Sequence, residues 1–312
     1  MTRRNLLAWL AVGLVLLLSA CAARPQDGQA ERRLIIISAF SPEMAKLKSH
    51  AVIESTRIIN GRTFYLAHLS GKAAVLALSG VSMVNAAMTA QSALDNFPAS
   101  GIVFSGIAGG VNPGLSIGDV VVPARWGQYQ DQVFARKTAQ GWNTGSFKSE
   151  YGHFGMMFPQ KVSVTRRDGK PDSVEQIFWF PASPDMLAVA QGVAGRIQLM
   201  RRTQKGVELA KQPCIVVGGN GVSGPTFVDN AAYRDWVWST FKADALDMET
   251  AAVAHVAYVN RVPFIAFRSL SDLAGGGPGE NEVNTFLDLA SDNAAAVVLT
   301  FLELLPAPAG IN

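Results

Sequence analysis

Cysteine is nearly absent from this chain of 312 residues, which contains only Cys21 and Cys214. Two cysteines cannot form the dense disulfide framework that stabilises small secreted domains. Charged side chains are also sparse, at 16% against 49% hydrophobic residues, so the sequence predicts a sizeable buried core. The length suits one large α/β domain or two small ones.

Clusters of basic residues and of metal ligands are missing as well. Pairs such as Arg166-Arg167 and Arg201-Arg202 do not extend into a basic run, so no nucleic-acid partner is expected. The chain has neither a Gly-x-Ser-x-Gly nucleophile elbow nor a phosphate loop ending in Gly-Lys-Ser/Thr. We also expect no metal site, because metal-ligand spacing is lacking among the four histidines, which are His50, His68, His153 and His255.

One glycine-rich segment, Gly219–Gly224, has the spacing of a dinucleotide-binding fingerprint. Pro225 follows at once, and the next amphipathic pattern begins only near Ala231. The fingerprint needs a helix N-terminus at its glycines, because that terminus holds the pyrophosphate. We therefore expect neither a nicotinamide nor a flavin, and no other cofactor.

The N-terminus has the pattern of a bacterial export signal. Arg3 and Arg4 precede an uncharged apolar run of 13 residues, 6–18, which is shorter than the roughly 20 residues of a membrane-spanning helix. The run ends in Leu18-Ser19-Ala20-Cys21, which resembles the lipobox cleaved by the lipoprotein signal peptidase. Small residues let the chain lie extended in that protease, and the thiol of Cys21 accepts the lipid.

Residues 1–20 are therefore predicted to be a lipoprotein signal peptide, followed by a tether over 21–33. An ordinary secreted protein with a chance cysteine is the alternative. Ala22 follows Cys21 in place of aspartate, which predicts an outer-membrane anchor facing the periplasm. Removal of the signal leaves 25 basic and 24 acidic residues, and lipid on Cys21 leaves Cys214 without a disulfide partner.

Short apolar strands alternate with helices through the rest of the chain, 34–312. Strands are predicted at Leu34–Ile37, Arg57–Ile59, Thr63–His68, Ala73–Leu78, Gly101–Phe104, Asp119–Val122, Cys214–Val217, Ala245–Met248 and Phe264–Phe267. Helices are predicted from an N-cap at Ser41 with Pro42 and Glu43 behind it, and over Met83–Leu94, Pro184–Leu199, Ala231–Phe241, Glu249–Val259 and Glu280–Leu305. This alternation predicts a single α/β domain with a mixed, mostly parallel sheet flanked by helices. Residues 130–181 fit the pattern poorly and are predicted to be an insertion, with a hairpin near Asp168-Gly169.

Polar side chains collect where the predicted strands end. Glu43 follows the first strand, a glycine-rich turn at 105–110 follows a later one, Glu249 follows another, and Asp272 follows the last. Ligands of open α/β sheets bind at the carboxyl ends of strands. Any single acid in such a place could be a helix cap, but three at separate strand ends predict a binding site.

Four segments resemble the nucleoside phosphorylase superfamily, in particular its 5'-methylthioadenosine/S-adenosylhomocysteine nucleosidases. They are Phe104–Val111, Gly118–Pro123, Asp247–Ala254, and Val262-Pro263-Phe264 with Arg268–Asp272. The resemblance covers roughly Leu34 to Leu305. It implies a nucleoside phosphorylase-like fold, a homodimer, and hydrolysis of the N-glycosidic bond of a purine nucleoside.

The resemblance also implies roles for individual residues. Glu43 corresponds to the glutamate that positions the attacking water, and Asp272 to the acid that protonates N7 of the purine, oriented by Ser271. Glu249 corresponds to the residue that binds the ribose hydroxyls, with Met248 packed on the sugar. The remaining implied contacts to substrate are Phe227 stacked on the base, Phe40 near the 5' substituent, and Ala108, Gly109 and Val228.

These residue types suit the chemistry of base release. Cleavage pushes charge onto the purine and leaves an oxocarbenium-like sugar, so an acid at N7 improves the leaving group and a carboxylate orients water. A glutamate on the ribose hydroxyls fixes the sugar. The two carboxyl groups must differ in protonation, so Asp272 needs a raised pKa. One departure is Ile107, which stands where the nucleosidases usually have serine.

Two alternatives stay open at this point. A non-catalytic nucleoside-binding lipoprotein would need neither a water-holding acid nor an N7 acid. A phosphate-dependent phosphorylase would need arginines around the phosphate, yet the segments 38–43 and 101–105 contain no basic residue. Arg125 or Arg268 would have to fold back into the site.

Overall fold

The computed structural model of the protein describes residues 31–306. The predicted signal peptide, Cys21 and most of the predicted tether therefore lie outside the described residues. The described helices are α1 (Ser41–Ser49), α2 (Met83–Asn96), α3 (Pro184–Gln191), α4 (Ala231–Phe241), α5 (Thr250–Asn260) and α6 (Val283–Leu304).

The strands include two long ones, β5 (Ala99–Gly110) and β18 (Phe264–Asp272), which pair in parallel at the centre of the sheet. The remaining strands are β1 (Arg33–Ser38), β2 (Val52–Ile59), β3 (Arg62–Leu69), β4 (Lys72–Leu78), β6 (Val120–Val122), β7 (Arg125–Gln128), β8 (Gln132–Phe134), β9 (Arg136–Thr138), β10 (Gly141–Asn143), β11 (Met157–Pro159), β12 (Val162–Val164), β13 (Glu175–Ile177), β14 (Trp179–Pro181), β15 (Ile215–Val217), β16 (Asn220–Ser223) and β17 (Ala243–Asp247).

Twelve of these strands form one mixed sheet. Its main path runs β14-β7-β16-β17-β5-β1-β4-β3-β2, and β18 joins β5 to β6, which in turn pairs with β15. The β1–β4, β1–β5, β5–β18 and β16–β17 pairs are parallel, whereas β2, β3 and β4 form an antiparallel meander. The predicted single α/β domain with a mixed sheet is confirmed.

Helices cover both faces of the sheet, which explains why its central strands are apolar throughout. In β1, Ile36 points to one side and packs with Phe267 of β18 and Phe301 of α6. Ile35 and Ile37 point to the other side and pack with α2 and α5. By length and composition α6 is apolar enough to cross a membrane, but most of it is buried in the fold.

The structure corrects several predicted boundaries. Residues 105–110 are not a turn, because β5 continues through them to Gly110. Likewise β18 continues past Phe267 to Asp272. The predicted helix at 184–199 ends at Gln191, since Gly192 follows and Gly195 adopts a φ of +84°. The N-cap of α1 is Phe40 rather than Ser41.

The segment 130–181 forms mainly short antiparallel ribbons. Strands β8 and β11, β9 and β10, and β12 and β13 pair with each other. The last of these ribbons closes around Asp168 and Gly169, as predicted. Strand β14 differs from the rest because it pairs with β7 at the edge of the main sheet.

The glycine-rich segment Gly219–Gly224 does not form a phosphate-binding loop. Most of it is β16, which lies between β7 and β17. The next helix, α4, begins only at Ala231, where the side chain of Asn230 accepts a hydrogen bond from the Tyr233 amide at 2.9 Å. The helix that follows these glycines in sequence therefore does not begin at them, as the dinucleotide fingerprint requires.

Candidate active site

A cavity of about 200 Å³ opens where β1, β5, β17 and β18 end. All ten residues that the sequence assigned to catalysis or substrate binding line it. They are Phe40, Glu43, Ala108, Gly109, Phe227, Val228, Met248, Glu249, Ser271 and Asp272. The structure thus places the predicted residues together, and the role of each stays a prediction.

The last part of β5 runs along the length of the site. Gly106 lies opposite Arg268 in the pairing with β18, and Gly109 lies opposite Asp272. A Cβ atom at Gly106 would overlap the side chains of both Arg268 and Glu43. Glycine is therefore required there, because charged side chains occupy the space that a larger residue would fill.

Glu43 lies in the first turn of α1, and three backbone amides fix its carboxylate. Its Oε2 accepts hydrogen bonds from the amides of Ala39 at 2.7 Å and Phe40 at 3.3 Å, and its Oε1 accepts one from Ile107 at 2.8 Å. Burial raises the pKa of Glu43, and Arg268 and the three amides oppose that rise. A fixed carboxylate of raised pKa is a stronger base toward a bound water.

Arg268 lies at the centre of a fully buried cluster of charges. Its Nε is 2.7 Å from Asp247 Oδ2, its Nη1 is 3.5 Å from Glu43 Oε1, and its Nη2 is 3.5 Å from Glu249 Oε2. Neither Nη atom has a hydrogen-bond partner within the described chain. The guanidinium also stacks over the ring of Phe104, with its carbon 4.3 Å from the ring centroid. The two Nη groups therefore face Glu43 and Glu249 at ion-pair distance without a hydrogen bond to either.

Glu249 lies just after β17 and directly before α5. Its Oε1 accepts a hydrogen bond from the Ser82 amide at 2.8 Å, and Ser82 adopts a φ of +95°, which is rare for a residue with a side chain. Burial and the neighbouring Asp247 raise the pKa of Glu249 to about 7, although Arg268 opposes the rise. Glu249 therefore changes charge near neutral pH.

Asp272 ends β18 at the other end of the site. Its Oδ2 accepts a hydrogen bond from the Ser271 hydroxyl at 2.8 Å, and its Oδ1 accepts one from the Ala274 amide at 2.8 Å. Burial raises the pKa of Asp272, while these hydrogen bonds lower it. A carboxyl group that keeps its proton to higher pH is suited to act as an acid.

The walls of the cavity are mainly apolar. Phe227 extends from the loop after β16 with 55% of its surface exposed, so its ring is free to pack against a planar ligand. Phe40 and Ile107 line the cavity together with residues that the sequence did not single out, among them Val81 and, on α6, Val283 and Leu287. Their helical spacing of four residues places both on one face of α6.

Sequence reasoning left two further residues of the site unassigned. Arg268 does not line the cavity but forms ion pairs with Glu43 and Glu249, which do, whereas Arg125 donates to Asn220 Oδ1 at 2.7 Å. Asp247 was part of a recognised segment without a role. Its Oδ1 accepts hydrogen bonds from the amides of Glu249 at 3.2 Å and Thr250 at 3.1 Å, so it fixes the start of α5. Within residues 31–306, no group of His, Cys, Asp and Glu side chains has the arrangement of a metal site.

Comparison with known families explains this arrangement. The model of the phosphorylase superfamily matches residues 33–303. The chain belongs to the phosphorylase superfamily. The match begins at the first residue of β1 and ends within α6, so it includes every element that contributes to the cavity.

Among curated members of the superfamily, similar proteins are 5'-methylthioadenosine/S-adenosylhomocysteine nucleosidases. The one from Tolumonas auensis is 27% identical over 271 residues, which are 86% of this chain and 98% of the relative. The one from Bacillus cereus is 28% identical over 275 residues, which are 88% and 99% of the two chains. The similarity therefore extends over nearly the whole length of each relative.

Solved structures of nucleosidases and related hydrolases have a similar fold. An S-adenosylhomocysteine nucleosidase from Streptococcus pyogenes, in complex with 5-methylthiotubericidin, aligns with a TM-score of 0.65 and 25% identity, covering 90% of this chain and all of that one. Futalosine hydrolase of Helicobacter pylori aligns with a TM-score of 0.64 and 22% identity, covering 88% and 98% of the two chains. Members with different substrates thus share this fold, so the substrate must be inferred from the site.

The raised pKa of Glu249 predicts a cost in stability that grows with pH. Because its pKa rises from 4.5 to about 7 on folding, the folded state binds more protons between these values and the free energy of unfolding falls as pH rises through that window. Glu249→Gln should therefore stabilise the protein at pH 8 by on the order of 1–3 kcal/mol, and the gain should vanish below about pH 4.5. Urea unfolding at several pH values measures this change in stability.

The control is Glu303→Gln, on the exposed side of α6, which should change stability by less than about 0.5 kcal/mol. A Glu249→Gln protein that is less stable at pH 8 would show that pairing with Arg268 outweighs burial.

Proposed function

We propose that this protein hydrolyses the N-glycosidic bond of a purine nucleoside of the 5'-methylthioadenosine type and releases the free base. The observation that carries the proposal is the separation of two kinds of acid along β5. Asp272 lies beside Gly109, whereas Glu43 and Arg268 lie beside Gly106. A nucleoside lying along this stretch has its base at the first end and its sugar at the second.

Each end then has one task in the reaction. Asp272 donates a proton to N7 of the base, so that the purine leaves as a neutral group. Glu43, fixed by three backbone amides, accepts a proton from water, and the neighbouring guanidinium of Arg268 favours the ionised form of Glu43 that can accept it. Glu249 accepts hydrogen bonds from the ribose hydroxyls, which fixes the sugar between the two ends.

The apolar wall of the cavity favours an uncharged 5' substituent. Phe40, Val81, Val283 and Leu287 contribute only apolar side chains to it. The charged side chains that line the cavity are all carboxylates, namely Glu43, Asp247, Glu249 and Asp272. A thioether fits such a wall, whereas a 5'-phosphate would be repelled by the carboxylates.

Two substitutions separate the roles of Asp272 and Glu249. Asp272→Asn keeps the shape of the side chain but cannot deliver a proton, so turnover should fall by roughly 10²–10⁴ while nucleoside affinity stays within about tenfold. Glu249→Ala should weaken affinity strongly, because the ribose hydroxyls lose a charge-assisted partner. Release of adenine followed by chromatography, with calorimetric binding, measures both. Asp288→Asn, exposed on α6, is the matched control. If both changes weaken binding alone, a non-catalytic nucleoside-binding protein becomes the better description.

The dependence of base release on phosphate distinguishes hydrolysis from phosphorolysis. A phosphorylase must hold a phosphate dianion beneath the anomeric carbon, yet Arg268 is already paired with Asp247 and faces Glu43 and Glu249. Three carboxylates around one guanidinium repel a dianion and tolerate water. Base release should therefore proceed at an unchanged rate in phosphate-free buffer and yield free sugar. A rate that requires phosphate, with a sugar 1-phosphate product, would contradict this.

We further propose that the protein is a lipoprotein anchored in the outer membrane by lipid on Cys21. The support is the sequence 18–21 and the 13-residue apolar run before it. Wild-type protein should fractionate with membranes and incorporate labelled fatty acid such as palmitate, and Cys21→Ala should do neither. Cys214→Ala, which changes the other cysteine, should behave as wild type. A soluble, unlabelled wild-type protein would rule out the anchor.

We also propose that the protein is a homodimer whose interface includes α2 and α5. Val84 and Met88 of α2 are 68% and 51% exposed, and they adjoin a groove of about 350 Å³ that α2 and α5 line together. This apolar face continues into the active-site cavity through Val81, so a second copy would also border the site.

Substitution of Val84 tests that interface. Val84→Asp should convert a dimer into a monomer in sedimentation, because a charge would be buried without a partner. Val174→Asp, which is also at an exposed valine but between β12 and β13, should leave the dimer intact. Wild-type protein that sediments as a monomer would contradict the proposal.

A further inference from the structure

The loop between β18 and α6 directly contacts the base-binding loop, residues 224–230, which lies between β16 and α4 and carries Phe227. It contains Gly275 with a φ of +86°, where a Cβ atom would overlap the backbone of Asp229 and Asn230. The amide of Asn230 donates to the carbonyl of Ala274 at 3.0 Å. The two loops are therefore in backbone contact between Asp272 on one side and Phe227 on the other.

Asn281 uses all of its hydrogen-bonding groups across this junction. Its Oδ1 accepts a hydrogen bond from the Val283 amide at 3.0 Å, which fixes the side chain at the start of α6. Its Nδ2 donates to Asp229 Oδ1 at 3.1 Å and to Asp272 Oδ1 at 3.4 Å. An amide group has two hydrogens, so one is available for each carboxylate.

These contacts determine which oxygen of Asp272 carries the proton. Oδ1 faces two donors, the Ala274 amide and Asn281 Nδ2. A proton on Oδ1 would therefore be repelled by the hydrogens of these donors. Oδ2 faces the Ser271 hydroxyl, which lies 2.8 Å from Oδ2 and 3.4 Å from the carbonyl of Ala108. When Oδ2 is protonated, this hydroxyl can turn to Ala108 and accept.

We propose that Asn281 is a positioning residue that links the base-binding loop to the acid Asp272 and keeps the transferable proton on Oδ2. The link rests on the proposed function, because it assigns the proton that is delivered to the purine. Closure of the loop that carries Phe227 and Asp229 onto a base would orient the amide of Asn281, and through it the carboxyl group.

Several charged groups surround Asp272 and Asn281 and determine whether the pKa of Asp272 rises or falls when Asn281 is replaced. Glu282 approaches from the start of α6 and raises the pKa of Asp272. Asp229 accepts a hydrogen bond from Asn281 Nδ2. Arg234 of α4 packs against Gly276 and donates to the carbonyl of Gly110 at 3.0 Å. The hydrogen bond from Asn281 stabilises the ionised form of Asp272, so its loss should raise that pKa.

The test compares Asn281→Ala and Asn281→Asp with Asn284→Ala, the same change at an exposed position three residues along. In Asn281→Ala, kcat should fall roughly tenfold with KM within about threefold. The basic limb of the pH profile of kcat/KM should move to higher pH, because Asp272 keeps its proton longer. Asn281→Asp should move the limb further, since a third carboxylate adds repulsion. Asn284→Ala should match the wild type.

Two outcomes would overturn the proposal. One is an unchanged basic limb in both Asn281 variants, even if their rates fall, because a purely structural role predicts no shift. The other is a limb that moves to lower pH. If the wild type releases no base from any nucleoside, the proposed function fails, and the link is then tested without activity. Carbon-13 titration of the aspartate carboxyl groups, with Asp272→Asn to assign the signal, should give Asp272 its lowest pKa in the wild type, a higher one in Asn281→Ala and the highest in Asn281→Asp. Equal pKa values in the three proteins would refute the link.

Discussion

The buried guanidinium of Arg268 forms ion pairs with three carboxylates, one at the start of α1 and two at the junction of β17 and α5. Glu43 comes from the start of α1, Asp247 from the end of β17 and Glu249 from the residue before α5. Removing the cation would leave these acids together in a site of low polarity, at a cost of about 3–5 kcal/mol for breaking even one buried pair. Arg268 therefore holds the active-site end of the sheet together, and it allows three acids to coexist there.

The composition of the cluster also explains why the two ends of the site differ. One guanidinium cannot neutralise three carboxylates, so burial still raises the pKa of both Glu43 and Glu249. At the other end, no arginine among residues 31–306 forms an ion pair with Asp272, and burial again raises its pKa. The difference is that Glu43 has a cation beside it, which favours its ionised form, whereas Asp272 has Glu282 nearby, which favours its protonated form. The surroundings thus assign the base and the acid.

The sequence was sufficient to predict a single α/β domain with a mixed sheet, because its strands and helices have local patterns, and the family resemblance added ten of the residues that line the cavity. It was misleading for residues 105–110, since glycines normally indicate a turn. Here Gly106 lies inside β5 because Glu43 and Arg268 occupy the space beside it. The place of Arg268 depends on acids far away in the sequence, and the contacts of Asn281 depend on two loops that meet only in the folded chain. Such long-range pairings have no periodic signal.

The departure at Ile107 can be judged from the same contacts. The nucleosidases that the chain resembles usually have serine at this position, so the substitution raises the question of whether Glu43 is still held. Ile107 contacts Oε1 of Glu43 through its backbone amide at 2.8 Å, and that donor is present whatever the side chain. The exchange therefore leaves the anchoring of Glu43 intact and changes only the lining of the cavity, where Ile107 adds to the apolar surface that Phe40 and Val283 provide. Because apolar surface favours an apolar group by about 25 cal/mol per Å² buried, the substitution acts on substrate preference rather than on the chemistry of bond cleavage.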